Sequence, residues 1–255
     1  MYTGSRSYFA STKKFYYSLF FILPFLAVYE TGLFRGALGN HINGADAVLR
    51  LFFYFLYGIL GVNVTRILSG IAIIILIFYL FSYLVKNRIR VRVSFLFFML
   101  LEAMLFALLA GIIIHVSLNY NFPRLFSMKP SRAVVEQLAV SGIINVWAKI
   151  VSSVGAGIFE EFLFRFLLIR VFYSFWKDSA YRAFGTDALA MAKAIGLSSL
   201  VFMLMHVGSV QSVFGLISIF FGSILFSLIY LKRGYGIVSA THIFYDMYLM
   251  FGILA

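Results

Sequence analysis

The sequence contains no cysteine, only three prolines and few charged residues. The absence of cysteine excludes disulfide bonds, thiolate zinc sites and a cysteine nucleophile. Asp, Glu, Lys and Arg together make up 12% of the 255 residues, whereas a soluble domain carries about 25%. Such a chain lacks the polar surface that a water-soluble protein needs. Its composition therefore indicates a polytopic membrane protein.

Hydrophobic residues make up 63% of the chain and form continuous apolar runs. Continuous runs are typical of membrane helices, since the strands of an outer-membrane barrel alternate apolar and polar residues. Seven runs can cross about 30 Å of hydrocarbon at about 1.5 Å per residue. They lie at 15–33, 67–85, 94–116, 149–175, 194–208 with its flanks, 212–231 and 236–254. We therefore predict an all-α, polytopic transmembrane helical bundle of about seven spans.

Residues 46–63 leave an eighth span open. This segment is apolar in its second half, but Asp46 and Arg50 interrupt its first half. An interfacial or re-entrant placement puts the basic loops on the cytoplasmic side, as the positive-inside rule favours. We therefore predict seven spans in a prokaryotic cytoplasmic membrane, with the N-terminus in the cytoplasm. Residues 177–193 are predicted to form a polar loop.

The net charge of +12 does not indicate nucleic-acid binding. The basic residues lie mainly at the ends of apolar runs, as Lys13, Lys14, Lys232 and Arg233 do. Cations in these places suit topology signals and anionic lipid headgroups. The expected partners are therefore the lipid bilayer and a membrane-bound peptide or protein. The oligomeric state does not follow from the sequence.

Six titratable residues lie on three of the last four apolar segments: Glu160, Glu161, Arg165, His206, His242 and Asp246. Each charge at bilayer depth costs at least about 2.5–3.5 kcal/mol, so partners or a water-filled cavity must receive it. On a helix, Glu161 and Arg165 are i,i+4 neighbours and form a natural ion pair. Glu160 is rotated by about 100° from Glu161. It can therefore face a cavity and act as a general base.

The two histidines supply the remaining groups of a hydrolytic site. His206 follows Phe202 by four residues, and His242 shares a helix face with Asp246. A glutamate base, a histidine that shares its water and two further hydrogen-bonding groups suffice for peptide hydrolysis. A structural role is the alternative for each residue, because membrane histidines often hydrogen-bond a neighbouring helix. Phe202 fits simple packing.

The ordered set resembles a known protease family. Glu-Glu-x-x-x-Arg, Phe-x-x-x-His and His-x-x-x-Asn/Asp on consecutive membrane helices are similar to the motifs of the CPBP (Abi) intramembrane glutamate proteases. This family includes the CAAX-processing endopeptidases and bacterial relatives tied to bacteriocin processing and immunity. The resemblance covers roughly residues 135–250. It implies an N-terminal transmembrane region at 1–134 and a catalytic membrane core at 135–255.

The resemblance also implies roles for the motif residues. Glu160 corresponds to the general base and His206 to the residue that helps to hold the water. The other motif residues divide into site-supporting Glu161, Arg165 and Phe202, and an oxyanion pocket of His242 and Asp246. Many family members have asparagine at the last position. An ionised aspartate accepts but cannot donate a hydrogen bond, so Asp246 is either protonated or orients His242.

Two alternatives to a metal-free protease stay open. Zinc has possible ligands in Glu160, Glu161, His206 and His242, although no His-Glu-x-x-His helix is present. The family resemblance implies no metal and no cofactor. The second alternative is a non-catalytic binding or immunity protein whose polar cluster recognises a membrane partner. Prenylated CAAX tails, sorting anchors and leader peptides are all possible substrates.

Overall fold

The computed structural model describes residues 7–35, 91–121, 146–184, 187–207, 210 and 213–253, with shorter stretches between 59 and 88. Its ordered elements in these ranges are all helical, which confirms the all-α prediction. The main helices are α1 Tyr8–Thr12, α2 Phe15–Phe34, α3 Val93–Asn121, α4 Val146–Glu160, a π-helix Glu161–Leu168, α5 Ile169–Phe184, α6 Ala188–Leu204, α7 Val213–Arg233 and α8 Tyr235–Met250. The predicted boundary between 134 and 135, most of 46–63 and part of 67–85 lie outside the described residues.

Among the residues that the structure describes, four helices are long and apolar enough to cross a membrane. They are Phe15–Phe34, Val93–Ile114, Ala188–Met205 and Val213–Arg233, and each overlaps a predicted span. The predicted span at 236–254 corresponds to α8, which has 16 residues. The chain is therefore an integral membrane protein with several spanning helices. The total of seven spans stays a prediction.

The predicted span at 149–175 belongs to a longer helical segment with a change of geometry in its centre. Helix α4, the π-helix and α5 follow one another without a break. A π-helix pairs residues i and i+5, is rare, and occurs frequently at functional sites. Hydropathy predicts where an apolar helix lies, but it does not distinguish α from π geometry.

The prediction of a polar loop at 177–193 is wrong. Helix α5 continues to Phe184 and α6 begins at Ala188, so the connection between the two helices is short. The charged residues at its two ends, Lys177 and Lys193, are exposed positions on these helices. A helix that keeps its polar face in solvent needs no loop to carry such residues.

Helix α8 forms the centre of the described bundle, where it packs against α2, α3, α4 and α7. Its residues Ile237, Ala240 and Ile243 are completely buried. The contact with α4 is close because Gly157 has no side chain. A Cβ atom at Gly157 would lie only 2.7 Å from the Ser239 carbonyl oxygen. Small residues let membrane helices approach in this way, and here they bring α4 and α8 together beside the titratable residues.

Several cations lie at one end of the bundle, near the starts of α2, α3 and α8. Lys13 and Lys14 precede α2. The backbone carbonyl oxygen of Lys13 lies close to Gly234, since a Cβ atom added at Gly234 would be 3.1 Å from it. The backbone N–H of Arg92, just before α3, donates to the Tyr17 hydroxyl at 3.1 Å. These contacts place the starts of α2, α3 and α8 together at what we call the basic end. The arrangement agrees with the charge pattern from which the cytoplasmic N-terminus is predicted.

Arg233 differs from the exposed topology signal that the sequence suggests, because its side chain is only 7% exposed. It forms an ion pair with Glu102, and its Nη2 donates to Glu102 Oε2 at 2.7 Å and to Thr12 Oγ1 at 3.0 Å. Tyr8 donates to the same carboxylate at 2.6 Å. Burial, followed by this hydrogen bond, raises the pKa of the Tyr8 phenol. We call this group the N-terminal clamp, because it ties α1 to α3 and α7.

Candidate active site

The titratable residues of the three motifs come from four neighbouring elements. Glu160 ends α4 and Glu161 begins the π-helix, whereas His242 and Asp246 lie on α8. His206 follows the C-terminal end of α6, in the turn after Leu204. Glu160, Glu161, Arg165 and His242 are all less than 9% exposed. The three segments that the sequence singles out therefore meet inside the helical bundle.

Glu161 bridges the first and third motifs. Its Oε1 lies 2.7 Å from Nδ1 of His242, and its Oε2 lies 3.1 Å from Nε of Arg165. A carboxylate accepts hydrogen bonds, so the imidazole Nδ1 donates in this contact. The predicted ion pair between Glu161 and Arg165 is present, because the two charged groups are close enough. The Arg165 N–H does not point at the carboxylate oxygen well enough for a hydrogen bond. The attraction within this fully buried pair is therefore chiefly Coulombic.

Aromatic rings enclose the Arg165 guanidinium. Its Cζ atom lies 4.3 Å from the centroid of Phe202 and 5.9 Å from that of Phe226. Its Nη2 also donates to Ser223 Oγ at 3.2 Å. Electrostatic attraction between a cation and a ring face is strongest where water is excluded. Phe202 thus does more than fill space, because its ring forms a cation–π contact with the Arg165 guanidinium.

The second nitrogen of His242 faces two carboxylates. Nε2 lies 3.6 Å from Asp246 Oδ1 and 3.9 Å from Glu160 Oε2. Both distances exceed a direct hydrogen bond, and a gap of this kind can be bridged by a water molecule. The ring itself stacks on Phe226, with centroids 5.2 Å apart. The sequence left open whether Asp246 orients His242, but the carboxylate in hydrogen-bond contact with the ring is that of Glu161.

His206 is held by its own helix end. Its Nδ1 lies 2.8 Å from the Phe202 carbonyl oxygen, and its ring centroid lies 4.6 Å from that of Phe202. Because a carbonyl oxygen only accepts, Nδ1 donates, and Nε2 is the acceptor in the neutral ring. The centroid of His242 lies 6.4 Å from the same phenyl ring. Phe202 therefore contacts both histidines and the arginine.

Two residues of the site were missed by the sequence analysis, namely Ser223 and Phe226 on α7. Ser223 is 2% exposed and binds Arg165, whereas Phe226 is 4% exposed and packs against His242. The sequence marks this position only weakly, because Gly222 and Ser223 are two small residues within a run of large apolar ones. Small residues of this kind occur at helix interfaces generally, so they do not identify a site.

The arrangement of possible metal ligands bears on the zinc alternative. Within the described ranges, no group of three or more His, Cys, Asp or Glu residues is arranged to hold one. Glu161 is already engaged by His242 and Arg165, so two of the four proposed zinc ligands bind each other. Whether the site uses a metal ion stays a prediction.

Comparison with known families bears on the same region. Residues 142–248 match the family model described as Type II CAAX prenyl endopeptidase Rce1-like. The matched segment contains Glu160, Glu161, Arg165, His206, His242 and Asp246, with all of the spacings noted above. The resemblance to the CPBP family is confirmed. No curated protein and no solved structure matches the chain.

The resemblance to membrane proteases therefore belongs to residues 142–248. The match covers less than half of the chain, from just before α4 to near the end of α8. The family therefore accounts for α4 to α8 and leaves α1, α2 and α3 as an N-terminal part with no family match. The buried cluster lies wholly in the CPBP part, although Tyr29 of α2 packs beside it against Phe159.

Proposed function

We propose that the chain is a glutamate-type intramembrane endopeptidase that cleaves a membrane-associated or lipidated peptide without a metal ion. The observation that carries the proposal is the position of Glu160. Its carboxylate is largely buried and lies 3.9 Å from His242 Nε2, while Glu161 holds the opposite side of that ring. The family match supports the proteolytic class. The mechanism and the substrate are our inference.

Glu160 is the proposed general base. It takes a proton from a water molecule, whose oxygen attacks the carbonyl carbon of the scissile peptide bond. The C–N bond then breaks, and the same proton goes to the leaving amine. His206 suits the task of holding the water, because its Nδ1 donates to the Phe202 carbonyl, which makes Nε2 the acceptor of the neutral ring.

His242 is the proposed donor to the oxyanion. A ring protonated on both nitrogens donates to Glu161 through Nδ1 and to the developing negative charge through Nε2. A donor already fixed in place stabilises such charge without further reorganisation. Glu161 and Arg165 act as positioning residues in this scheme, since they hold the ring and need not touch the substrate.

Asp246 is proposed to complete the oxyanion pocket in its protonated form. Its Oδ1 lies 3.6 Å from His242 Nε2, on the side of the ring that faces Glu160. A protonated carboxyl group donates one hydrogen bond, as the asparagine of many family members does. An ionised carboxylate at this place would instead repel the oxyanion.

The proposed substrate is a segment that reaches the site from the membrane. Helix α8, which carries His242 and Asp246, packs against the apolar helices α2, α3 and α7. His242 is seven residues, or about 10 Å, along α8 from the basic end. Such a position is accessible to a lipidated tail or to a transmembrane segment near its end. The bilayer is the expected surrounding, and the N-terminus is proposed to lie in the cytoplasm.

Proteolysis by purified protein in liposomes tests this proposal. A library of lipidated and transmembrane peptides is incubated with the wild type and with Glu160→Gln, each with and without a strong chelator. We expect cleavage that resists the chelator and is lost in the variant, because glutamine keeps the shape of glutamate but cannot take a proton. Asp178→Asn, at an exposed position on α5, provides a matched control for loss of one carboxylate.

Three results would contradict the proposal. Activity that survives in Glu160→Gln removes the base from its role. Loss of activity in the chelator, restored by zinc, identifies a zinc-dependent membrane protease. Binding of a peptide without turnover by folded wild-type protein favours the alternative of a non-catalytic binding or immunity protein.

A further inference from the structure

A cleft of about 350 Å³ opens at the basic end of the bundle. It lies between the start of α2, the start of α8 and the end of the π-helix. Lys13, Ser18, Phe166, Arg170 and Gly234 are among the residues that line it. This cleft contains none of the motif residues. It therefore calls for an explanation of its own.

Two cations at the cleft have no acidic partner among the residues described. Lys13 is exposed, and Arg170 is exposed with its Cζ atom 4.0 Å from the centroid of the Phe166 ring. No carboxylate belongs to the lining. Arg233 nearby differs, since Glu102 neutralises its charge. Within the described residues, the positive charges of Lys13 and Arg170 are thus available to a ligand.

Two helix N-termini add to this potential. Helix α2 begins after Lys14 and α8 begins after Gly234, and neither has a side-chain hydrogen bond at its N-cap. The first-turn N–H groups of a helix have no partner within it, and its N-terminal end carries about half a positive charge. Lysines at such ends are electrostatically unfavourable unless an anion is present. Helix starts are natural anion sites.

Ser18 is the observation that points to a ligand. Ser18 belongs to the lining of the cleft and is 1% exposed, yet its hydroxyl has no hydrogen-bond partner in the described part of the chain. A Cβ atom at Gly236 would lie 3.1 Å from the Ser18 oxygen, so the hydroxyl lies beside the first turn of α8. An unsatisfied buried hydroxyl costs about 1–3 kcal/mol. An acceptor oxygen in the cleft would remove this cost.

We propose that the cleft binds the phosphate group of an anionic membrane lipid. Lys13 and Arg170 supply charge, Ser18 supplies a hydroxyl donor, and the starts of α2 and α8 supply the positive ends of two helices. The cleft lies where spanning helices end among basic residues, which is the level of lipid headgroups. Phe15, Phe166 and Tyr235 in its lining suit the apolar part of the same lipid. This inference does not depend on the proposed protease activity.

Binding of short-chain lipids to the full-length protein in neutral detergent provides the test. Dihexanoyl phosphatidylglycerol, dihexanoyl phosphatidylcholine and inorganic phosphate are titrated separately, and binding is followed by native mass spectrometry and by the shift in Tm. We expect saturable binding and stabilisation with phosphatidylglycerol at concentrations where the other two have little effect. The readout is binding alone, so an inactive protein tests the proposal equally well.

Variants assign the binding to the cleft. Each cation near an anionic headgroup contributes about 1 kcal/mol, or roughly fivefold in affinity. The double variant Lys13→Gln/Arg170→Gln should therefore bind phosphatidylglycerol roughly thirtyfold more weakly. Ser18→Ala should weaken binding severalfold without loss of folding, since it removes a hydroxyl that has no partner. The control Lys177→Gln/Lys193→Gln removes two exposed cations elsewhere and should bind as the wild type does.

Two outcomes would overturn the proposal. Equal loss of affinity in the control pair and in the cleft pair means that the lipid responds only to net charge. Saturable binding of inorganic phosphate with no preference for phosphatidylglycerol means that the ligand is a soluble phosphate and not a membrane lipid.

Discussion

Nδ1 of His242 lies 2.7 Å from Oε1 of Glu161, and this contact joins α8 to the π-helix. Glu161 also lies 3.1 Å from Arg165, so one carboxylate stands between a cation and an imidazole. The neighbouring Glu160 is placed on the other side of the same imidazole, toward Nε2. Two adjacent glutamates thus approach the two nitrogens of one histidine, and each has different neighbours.

Glu161→Gln should lower the yield of folded protein, because it leaves Arg165 as a buried cation without its carboxylate. In the protein that folds, it should lower kcat more than tenfold while KM changes by less than about twofold. Glutamine can still accept from His242 Nδ1, but it loses the negative charge that favours a ring protonated on both nitrogens. Loss of an interaction made mainly in the transition state lowers kcat and kcat/KM together. Steady-state kinetics on a cleaved peptide provides the measurement. A raised KM with an unchanged kcat would assign Glu161 to substrate binding instead.

Arg165→Ala should sharply lower the yield of folded protein. The substitution leaves Glu161 as a buried carboxylate without its cation, and breaking a buried pair in this way costs about 3–5 kcal/mol. Size-exclusion chromatography in detergent and thermal unfolding measure the effect. Arg170→Ala is the matched control, because that arginine is exposed five residues along the same helical segment. Equal yields for the two variants would contradict a structural role for the ion pair.

Asp246→Asn should retain cleavage at neutral pH. The amide of asparagine donates a hydrogen bond in every protonation state, whereas the carboxyl group of Asp246 donates only when it is protonated. The activity of the variant should therefore extend to a higher pH than that of the wild type. A pH profile of kcat/KM on the same peptide checks this prediction. An inactive but folded Asp246→Asn protein would show that the carboxylate itself is required.

Gly157→Ala should destabilise the protein by about 1–3 kcal/mol or more, because the new methyl group meets the Ser239 carbonyl. It should also reduce cleavage, since α4 carries Glu160 three residues further on. Gly196→Ala is the control within a helix, where a Cβ atom would have no neighbour within 4 Å. Thermal unfolding should separate the two variants. Similar Tm values would indicate that α4 and α8 can move apart without loss.

Much of the fold follows from hydropathy, because the bilayer leaves few alternatives to a helix. Four predicted spans coincide with long apolar helices, and the pairing of Glu161 with Arg165 follows from their spacing alone. The spacing of the histidines from their motif partners could also be recognised in the sequence, since it depends only on residue order. Each of these features is local, so a short stretch of sequence is enough to predict it.

The remaining features depend on contacts between distant segments. Nothing near Arg233 indicates that Glu102, more than a hundred residues earlier, will neutralise it. The same holds for Phe226, which packs against His242 from a different helix. The π-helix could not be read either, because α and π geometry use the same apolar residues. Partner choice between helices is decided by packing, which hydropathy does not describe.

The N-terminal clamp has a consequence for the order in which the protein matures during synthesis. Tyr8 and Thr12 are synthesised well before their partner Arg233, which lies 221 residues after Thr12 in the chain. Helix α2 likewise packs against α4 and α8, which are synthesised after it. The first helices must therefore enter the bilayer and stay loosely associated until α7 and α8 arrive. Assembly of the bundle is in this sense a late, post-insertion event, and a nascent chain stalled before α7 should be open to membrane quality-control proteases.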